Sequence, residues 1–329
     1  MIEANIITTI NEMAKDNKPF LFVIDYKGEK AYIKALKDIY PRECLYDFGG
    51  SWTNVAHHSM MENVSSIEWK VDTPEYHEYQ RSFDIVKRNI FAGNSYLTNL
   101  TCRVPIHTNL SLLDIFMAAK AKYKLLMPDK FVCFSPETFI QIHEGRIFSY
   151  PMKGTIDATL PHAEDTLMKD EKEAAEHATI VDLIRNDISQ VATNVRVDKY
   201  RYIDRLSTNK GDILQTSSKI SGKLPDNYRL HIGDILAAQL PAGSITGAPK
   251  NKTIEIINEA ELYQRGFYTG VMGIYDGQGN MDSAVMIRFV EQEENGTMVF
   301  KAGGGITSKS DCHKEYEEVI QKIYLPITQ

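Results

Sequence analysis

Residues 130–155, KFVCFSPETFIQIHEGRIFSYPMKGT, decide the fold class. Short apolar segments rich in aromatic and β-branched residues alternate here with turn signals, a Ser-Pro pair and a Glu-Gly pair. Apolar runs of this length between turn residues are typical of β-strands. The stretch therefore predicts three short strands, and its last residues, YPMKGT, place a lysine beside a Gly-Thr pair where the third strand ends.

Helices and further strands lie on both sides of this stretch in blocks. Residues 18–36 have the pattern of a β-hairpin, and a helix is predicted from Thr73, with Pro74 at its first position, to about Ala92. After the quoted stretch, DEKEAAEHATIVDLIRND has apolar residues at helical spacing, and the chain closes with a β-rich run and the helix KEYEEVIQKIYL. Strands and helices mixed in blocks predict an α+β fold, with two antiparallel-rich β-sheets flanked by helices.

The composition is that of a globular protein with a sizeable core. The chain has 329 residues, 43% hydrophobic and 25% charged, and a formal net charge of −7. This charge argues against a nucleic acid or an anionic membrane as partner, although local lysines and arginines could still bind a small anion. The four cysteines form no CxxC pair and no apolar run reaches the length of a membrane span, so we expect reduced thiols in a cytoplasmic protein.

The best candidate for a boundary lies near residue 70, where the β-rich pattern gives way to a helix. It separates a short N-terminal part, residues 1–70, from a larger unit, residues 71–329. Because no Pro- or Ser-rich linker joins the two, we expect the N-terminal part to pack on the same unit rather than to form an independent domain.

Two helices carry the same acidic pattern. Glu173 and Glu176 lie three residues apart on one helix, as do Glu315 and Glu318 on the last helix, so each pair presents two carboxylates on one face. If the helices face each other, four carboxylates form an anionic pocket suited to Mg²⁺. Acidic helix faces are also common on protein surfaces, and the spacing alone leaves both possibilities open.

Glycine loops, one arginine and the lysine of YPMKGT are further candidates. AGGGIT and LPAGSITGAPK could present backbone N–H groups to an anion or serve as turns, and a P-loop pattern is absent. Arg288 falls in an apolar segment predicted as a strand, where a guanidinium needs an acidic side chain or a substrate carboxylate as partner. Lys153 is either a solvated lysine or, in its constrained apolar setting, a reactive amine whose pKa is lowered by desolvation.

Eight motifs together resemble the chorismate-utilising enzymes over roughly residues 75–325. They are GNSYLTNL, SPETF, PMKGT, EHATIVDLIRND, LPAGSITGAPK, GNMDSAVMIR, AGGGIT and KEYEEVIQK, in the order of the family. Within that family the chain is most similar to component I of the aminodeoxychorismate synthases, in a short form, because Lys153 stands where anthranilate and isochorismate synthases carry alanine. The resemblance implies that this lysine attacks C2 of chorismate while the C4 hydroxyl leaves, after which ammonia attacks C4 and expels the lysine.

The resemblance also implies roles for other residues. Glu137 of SPETF is expected to protonate the departing hydroxyl, which requires a raised pKa. Mg²⁺ is the expected cofactor, with Glu176 and Glu318 as ligands and Glu173 and Glu315 as supporting carboxylates. The residues expected to bind the substrate are Arg288, Gly303 and Gly305 and, on weaker correspondence, Gly154, Thr155, Thr246, Gln215 and Lys322.

Three positions depart from the pattern of the family. Gln215 replaces a histidine and cannot act as an acid, which leaves protonation to Glu137. Ile274 replaces a tyrosine, and Tyr275, one residue later, is expected on the opposite face of its strand. Leu97 stands where isochorismate and salicylate synthases place a water-activating lysine, which argues against water as the nucleophile.

The resemblance finally implies partners and alternative functions. The chain shows no glutaminase signature, so ammonia is expected from solution or from a separate glutamine amidotransferase subunit. Chorismate and ammonia are the expected substrates. The alternatives are an anthranilate synthase component I and a catalytically inactive chorismate-binding homologue, which the departures at Gln215 and Ile274 favour.

Overall fold

Two antiparallel β-sheets form the body of the protein in a computed structural model, which describes residues 2–55, 67–208 and 211–326. The strands are β1 (Phe20–Ile24), β2 (Ala31–Ala35), β3 (Leu45–Phe48), β4 (Trp52–Thr53), β5 (Trp69–Val71), β6 (Leu97–Thr108), β7 (Tyr123–Met127), β8 (Phe131–Ser135), β9 (Thr138–His143), β10 (Arg146–Ser149), β11 (Met152–Asp157), β12 (Thr193–Thr208), β13 (Gly211–Lys223), β14 (Gly247–Ala248), β15 (Val271–Tyr275), β16 (Met281–Val285), β17 (Phe289–Gln292) and β18 (Met298–Thr307). The α-helices are α1 (Ala4–Lys15), α2 (Tyr76–Phe91), α3 (Leu112–Ala118), α4 (Ala163–Lys169), α5 (Glu171–Ser189), α6 (Ile232–Gln239), α7 (Lys250–Ala260) and α8 (Cys312–Gln321).

The strand order confirms the α+β expectation. One sheet has the order β11-β13-β10-β9-β16-β15-β1-β2, with β12 paired to β13. The other has the order β14-β6-β18-β17-β8-β7-β3-β4, with β5 paired to β6. Every strand pair among the described residues is antiparallel.

Residues 1–70 contribute to both sheets. β1 and β2 form the predicted hairpin, with Phe20 opposite Ala35, and β1 also pairs with β15 from the C-terminal part of the chain. β3 pairs with β7 in the second sheet. The N-terminal helix α1 packs against α6. The division of the chain near residue 70 stays a prediction.

A shared core fills the space between the sheets. Leu21 of β1, Met272 and Ile274 of β15 belong to one apolar cluster with residues of β7 and β8. Tyr275 belongs to another cluster, with α1 and α6, and its ring lies 5.2 Å from that of Phe20. Ile274 and Tyr275 therefore face opposite sides of the strand, as its period of two residues requires.

Two local predictions need correction. Arg288 does not lie in a strand: it connects β16 to β17 with a φ of 53°, a left-handed backbone that breaks the ladder. The second helix begins at Tyr76 rather than at Thr73, with the extended residue Glu75 as its N-cap. Pro74 stays outside the helix, where its carbonyl accepts a hydrogen bond of 2.8 Å from the hydroxyl of Tyr316.

Candidate active site

A cavity of about 380 Å³ opens where β11, β18, α5 and the segment before β17 meet. Its charged lining is mostly basic, with six cationic side chains against two carboxylates. The cations are Lys153, Lys172, Arg288, Lys301, Lys309 and Lys322, and the carboxylates are Glu137 and Glu176. Four of the cations form ion pairs with carboxylates: Lys153 and Lys172 with Glu176, Lys301 with Glu291, and Lys322 with Glu318. Within the described ranges Arg288 and Lys309 form no such pair, so this concave, partly apolar pocket offers two cationic groups to a small anionic ligand.

Lys153 extends into this cavity from an irregular part of β11. The pairing with β13 shifts between Met152 and Thr155, and Gly154 has a φ of 82°, a conformation open to glycine at little cost. The side chain of Lys153 is 27% exposed, and its Nζ lies 2.8 Å from Oε2 of Glu176. The bulge therefore directs this amine toward α5.

The charge state of Lys153 depends on its carboxylate neighbours. Burial favours the neutral amine, but Glu176, with smaller contributions from Glu173 and Glu318, outweighs burial and raises the pKa of Lys153. The ligand-free cavity therefore holds an ammonium group. A nucleophilic role requires this group to lose its proton after the substrate binds.

The two acidic pairs lie close to the cavity from two helices. A Cβ atom built on Gly154 would lie 3.0 Å from Oε2 of Glu173, and one built on Gly304 would lie 3.7 Å from Oε2 of Glu315 and 3.8 Å from Oε1 of Glu318. The glycines thus let β11 and β18 approach the carboxylates of α5 and α8. No group of three or more His, Cys, Asp or Glu side chains in the described ranges is close enough together to hold a metal ion.

The four carboxylates are of the chemical type that binds a hard cation. Burial and then the neighbouring carboxylate Glu318 raise the pKa of Glu315, and burial raises that of Glu173 with a further contribution from Glu176. Burial is the largest cause of both shifts, while Lys153 pairs with Glu176 and Lys322 pairs with Glu318 at 2.7 Å. Carboxylate oxygens are the ligands that Mg²⁺ prefers.

Glu137 lies on the turn between β8 and β9 and faces the same cavity. The hydroxyl of Ser244 donates a hydrogen bond of 2.6 Å to its Oε1, and its own N–H donates to Oγ of Ser135 at 3.1 Å. Burial raises the pKa of Glu137, against the opposing effects of Ser244 and Lys322. A buried carboxyl with a raised pKa can carry a proton near neutral pH, as a general acid must.

Arg288 and Lys322 form a basic wall of the same cavity. Nη1 of Arg288 donates to the carbonyl of Lys322 at 3.0 Å, and its guanidinium lies 5.0 Å from the centre of the Tyr324 ring. Nζ of Lys322 donates to the carbonyl of Gly303 at 3.0 Å. Neither an Asp nor a Glu within the described ranges forms an ion pair with Arg288, so its charge is available to an anionic ligand.

The cavity brings together part of the predicted site. Its lining includes Lys153, Glu137, Glu176, Arg288, Gly303, Gly305 and Lys322. Seven other predicted residues are not part of the lining, namely Gly154, Thr155, Gln215, Thr246, Glu173, Glu315 and Glu318. Thr155 is exposed and pairs with Gln215 across β11 and β13, whereas Thr246 is fully buried. The roles of all these residues stay predictions.

Sequence reasoning missed several residues of the lining. Ser244, the partner of Glu137, lies in the quoted loop LPAGSITGAPK, but a serine in a turn carries no signal that distinguishes it from its neighbours. Lys172 lines the cavity because it lies one turn before Glu176, with 3.7 Å between Nζ and Oε1. The acidic spacing around it could have identified this lysine.

The sequence profile of the chorismate binding enzymes matches residues 20–328. The chain belongs to this family. It is 48% identical over 321 residues to an "uncharacterized PabA-like protein" of Haemophilus influenzae, with 98% of this chain and 96% of that protein covered. A similarly named protein of Pasteurella multocida is 44% identical over 332 residues, with 98% of each chain covered.

More distant relatives have assigned activities. The anthranilate synthase component 1 of Mycolicibacterium smegmatis is 34% identical over 265 residues, which cover 74% of this chain and 49% of that enzyme. The crystal structure of anthranilate synthase component I from Streptococcus pneumoniae superposes with a TM-score of 0.64 at 27% identity, over 78% of this chain and 58% of that one. This chain thus matches about half the length of those synthases.

The fold is shared still more widely. A Bacillus anthracis protein assigned as a 2,3-dihydroxybenzoate-specific isochorismate synthase superposes with a TM-score of 0.71 over 97% of this chain and 86% of that one, at 18% identity. Family membership indicates that the chain is an enzyme with chorismate as its substrate. No helix within the described ranges is long and apolar enough to span a membrane.

Proposed function

We propose that this chain is an aminodeoxychorismate synthase component I, which converts chorismate and ammonia to 4-amino-4-deoxychorismate and water. The observation that carries the proposal is the lysine at position 153, whose amine lies in the cavity of a chorismate binding enzyme beside Glu176. The "PabA-like" names of its full-length relatives support the same pathway, the synthesis of p-aminobenzoate.

The first step breaks the C4–O bond. Glu137 donates its proton to the departing hydroxyl, which leaves C4 as water, and the neutral amine of Lys153 forms a bond to C2 as the two conjugated ring double bonds shift toward C4. Ser244 holds the carboxyl of Glu137 through Oε1 during this transfer. Ammonia then attacks C4, the two double bonds shift back, and the C2–N bond to Lys153 breaks, which restores the lysine. The proton that the new amino group loses returns to Glu137.

Binding uses the basic wall of the cavity. Arg288 and Lys322 face the cavity and hold the substrate through its carboxylates, which orients C2 toward Lys153. When bound, Mg²⁺ supplies a Lewis acid for the ring carboxylate, and Glu176 and Glu318, supported by Glu173 and Glu315, are the residues that would hold it.

Product analysis with two substitutions tests the proposal. Purified protein is incubated with chorismate, MgCl₂ and ammonium chloride at mildly alkaline pH, and the product is identified by mass and absorbance. We expect aminodeoxychorismate from the wild type, and a loss of at least about 100-fold in kcat from Lys153→Ala. Lys169→Ala, which removes an exposed lysine on α4, serves as the control.

Two outcomes would overturn the assignment. One is anthranilate as the wild-type product; the other is an undiminished rate of aminodeoxychorismate formation by Lys153→Ala. Trapping a protein–substrate adduct, seen by intact mass in the absence of ammonia and lost in Lys153→Ala, would support the covalent step directly.

A glutamine amidotransferase subunit is the proposed source of ammonia in the cell. The expected result is that a pulldown with the tagged chain recovers such a subunit and that the reconstituted pair uses glutamine. Failure to recover it, with full activity on ammonium salts alone, would remove the subunit from the proposal and leave the reaction in place.

Anthranilate synthesis is the second candidate, favoured by the 34% identity to an anthranilate synthase component 1. It places the amino group at C2 and requires no amine nucleophile from the protein. The fluorescence of anthranilate distinguishes the two products in a single assay, and this candidate predicts that Lys153→Ala retains activity.

A further inference from the structure

A buried ion pair lies behind the cavity wall that carries Glu137. Oδ2 of Asp187, on α5, is 2.8 Å from Nζ of Lys250, and the side chain of Asp187 is 5% exposed. Lys250 also donates to the carbonyl of Gln239 at 2.9 Å, and the amide of Gln239 donates to the carbonyl of Asp187 at 2.9 Å. These three residues close a ring between α5, α6 and α7, so the carboxylate of Asp187 has one fixed place.

The ring lies against the turn that carries Ser244. A Cβ atom built on Gly243 would lie 3.1 Å from Oδ2 of Asp187 and 3.0 Å from Cδ2 of Leu183. The next residue, Ser244, donates the hydrogen bond of 2.6 Å to Oε1 of Glu137. Asp187 and Leu183 therefore set the position of the backbone that aims the hydroxyl at Glu137.

A small cavity gives a second connection. It measures about 20 Å³, and its polar lining includes Glu137, Ser149, Asp187, Gln239 and Ser244. A space of about 10–15 Å³ by this measure holds one water molecule when two or more polar groups surround it. The cavity thus has the size and the polarity for one water between the carboxyl groups of Glu137 and Asp187.

We propose that Asp187, held in place by Lys250, is a positioning residue for Glu137, and that one water in the small cavity connects their carboxyl groups. The inference rests on the role of Glu137 as the proton donor in the proposed function. Asp187 lines the small cavity and not the large one, so it acts on the substrate through Glu137 and Ser244.

The two charges of the ion pair have opposite effects on the ionisation of Glu137. A carboxylate near Glu137 opposes its ionisation, whereas the ammonium of Lys250 favours it, so the two charges of the intact pair offset each other. Substituting one partner exposes the effect of the other. The remaining charged groups of the two linings are all in the large cavity, namely Lys153, Lys172, Glu176, Arg288, Lys301, Lys309 and Lys322. The tyrosines of the linings are Tyr150 in the small cavity and Tyr96 and Tyr268 in the large one.

Charge-neutralising variants test the inference. Asp187→Asn is expected to lower kcat about tenfold with the KM for chorismate within about twofold of wild type, because the proton donor is misplaced while the binding wall is intact. The uncompensated Lys250 should also move the alkaline limb of the kcat/KM profile to lower pH. In the double variant Asp187→Asn/Lys250→Met, which has neither charge, that limb should return to its wild-type position.

Coupling to Ser244 gives a further readout. If Asp187 acts through Ser244 and Glu137, then Asp187→Asn should lower kcat less in a Ser244→Ala background than in the wild type. Additive losses would overturn the inference. Asp182→Asn, on the exposed face of the same helix with a side chain 84% exposed, is the matched control and should leave kcat and the pH profile unchanged.

A measurement without turnover separates this inference from the proposed function. The infrared band of the protonated carboxyl of Glu137, isolated by subtracting spectra of Glu137→Gln, reports its titration whatever the product of the enzyme. The band should disappear at lower pH in Asp187→Asn than in wild type. If folded Asp187→Asn titrates as wild type does, the inference is overturned. If Asp187→Asn does not fold, Lys250→Met is measured instead, and the inference requires its band to disappear at higher pH than that of wild type.

Discussion

Glu137 shows at the scale of one residue how a catalytic role opposes stability. Burial raises its pKa above the usual value of 4.5, so the folded protein holds this proton more tightly than the unfolded chain does. Ionisation of Glu137 therefore destabilises the folded state as the pH rises above 4.5. The loss of folding free energy is complete once the pH exceeds the pKa of Glu137 in the folded state.

Glu137→Gln is accordingly expected to gain stability and lose activity. The amide keeps the shape of the side chain and cannot ionise, so the free energy of unfolding at pH 8 should exceed that of wild type, with the difference vanishing toward pH 4. Activity should fall at least about 100-fold because the proton donor is gone. Chemical denaturation at several pH values checks this.

Glu144→Gln is the control for this substitution, since its side chain is 83% exposed and lies on the β9–β10 turn. A pH-independent difference between wild type and Glu137→Gln would contradict the burial argument. So would a loss of stability at pH 8.

The sequence predicts a site residue when the residue belongs to a recognisable motif. It does not predict a residue whose role depends on a contact that only the folded chain makes. Lys153 and Glu137 come from short motifs, and both line the cavity. Ser244 has no such signal, because its importance comes from a hydrogen bond across more than a hundred residues. Arg288 was placed in a strand because its neighbours are apolar, and the left-handed backbone that turns it toward the cavity leaves no mark in hydropathy.

At the scale of an element, the three glycines of β18 are close to the site for different reasons. A Cβ on Gly303 would lie 2.4 Å from Cγ2 of Thr101 and 2.6 Å from the carbonyl oxygen of Leu100, so β6 would have to move. A Cβ on Gly304 would meet nothing closer than 3.7 Å, and its neighbours are Glu315, Lys322 and Glu318. The first glycine is required for packing of the sheet, and the second leaves space beside the carboxylates.

Two alanine substitutions separate these roles. Gly303→Ala is expected to lower the free energy of unfolding by about 1–3 kcal/mol, the usual cost of overpacking. Gly304→Ala should change it by less than about 0.5 kcal/mol while raising the KM for chorismate or the Mg²⁺ concentration needed for half activity. Equal stability losses in both variants, measured by urea unfolding, would contradict the assignment.

Helix α8 depends on its cap to present the second acidic pair. The side chain of Asp311 accepts a hydrogen bond of 3.1 Å from the N–H of Lys314, and Glu315 lies in the first turn. Asp311→Ala should lower the free energy of unfolding by about 1 kcal/mol and also lower activity, because fraying displaces Glu315. Ser111→Ala, at the N-cap of α3, should cost about as much stability with no effect on activity.

Elements were easier to predict than their ends. The blocks of strands and helices predicted the α+β class, and β1 and β2 form the hairpin that the pattern of residues 18–36 predicts. The pairing of β1 with β15 joins residues about 250 apart, for which local periodicity carries no information. The relative placement of α5 and α8 likewise depends on long-range contacts, so spacing alone leaves the acidic pairs open between a metal site and a solvated surface.

For the whole molecule, the charge of the cavity opposes that of the chain. The protein has a formal net charge of −7, yet two of the basic side chains that line the cavity, Arg288 and Lys309, form no ion pair with an Asp or Glu in the described ranges, whereas the other four do. A dianion such as chorismate is repelled by the global charge and attracted by the local field. At physiological ionic strength salt screens the global repulsion and the local attraction beyond about 8 Å. Because the local attraction acts over shorter distances, it is screened less and determines whether the ligand binds.

The value of kcat/KM for chorismate should therefore fall several-fold between about 0.05 and 0.5 M KCl at constant Mg²⁺, while sucrose of equal osmolality has no such effect. Lys309→Glu, on the exposed rim of the cavity, should lower kcat/KM at low salt and flatten its salt dependence. Lys169→Glu makes the same charge change on α4, outside the lining, and should do less. If the two variants lower kcat/KM equally, the net charge of the protein governs association. We expect the larger effect from Lys309→Glu, because the low-dielectric walls of the cavity concentrate the electric field at its mouth.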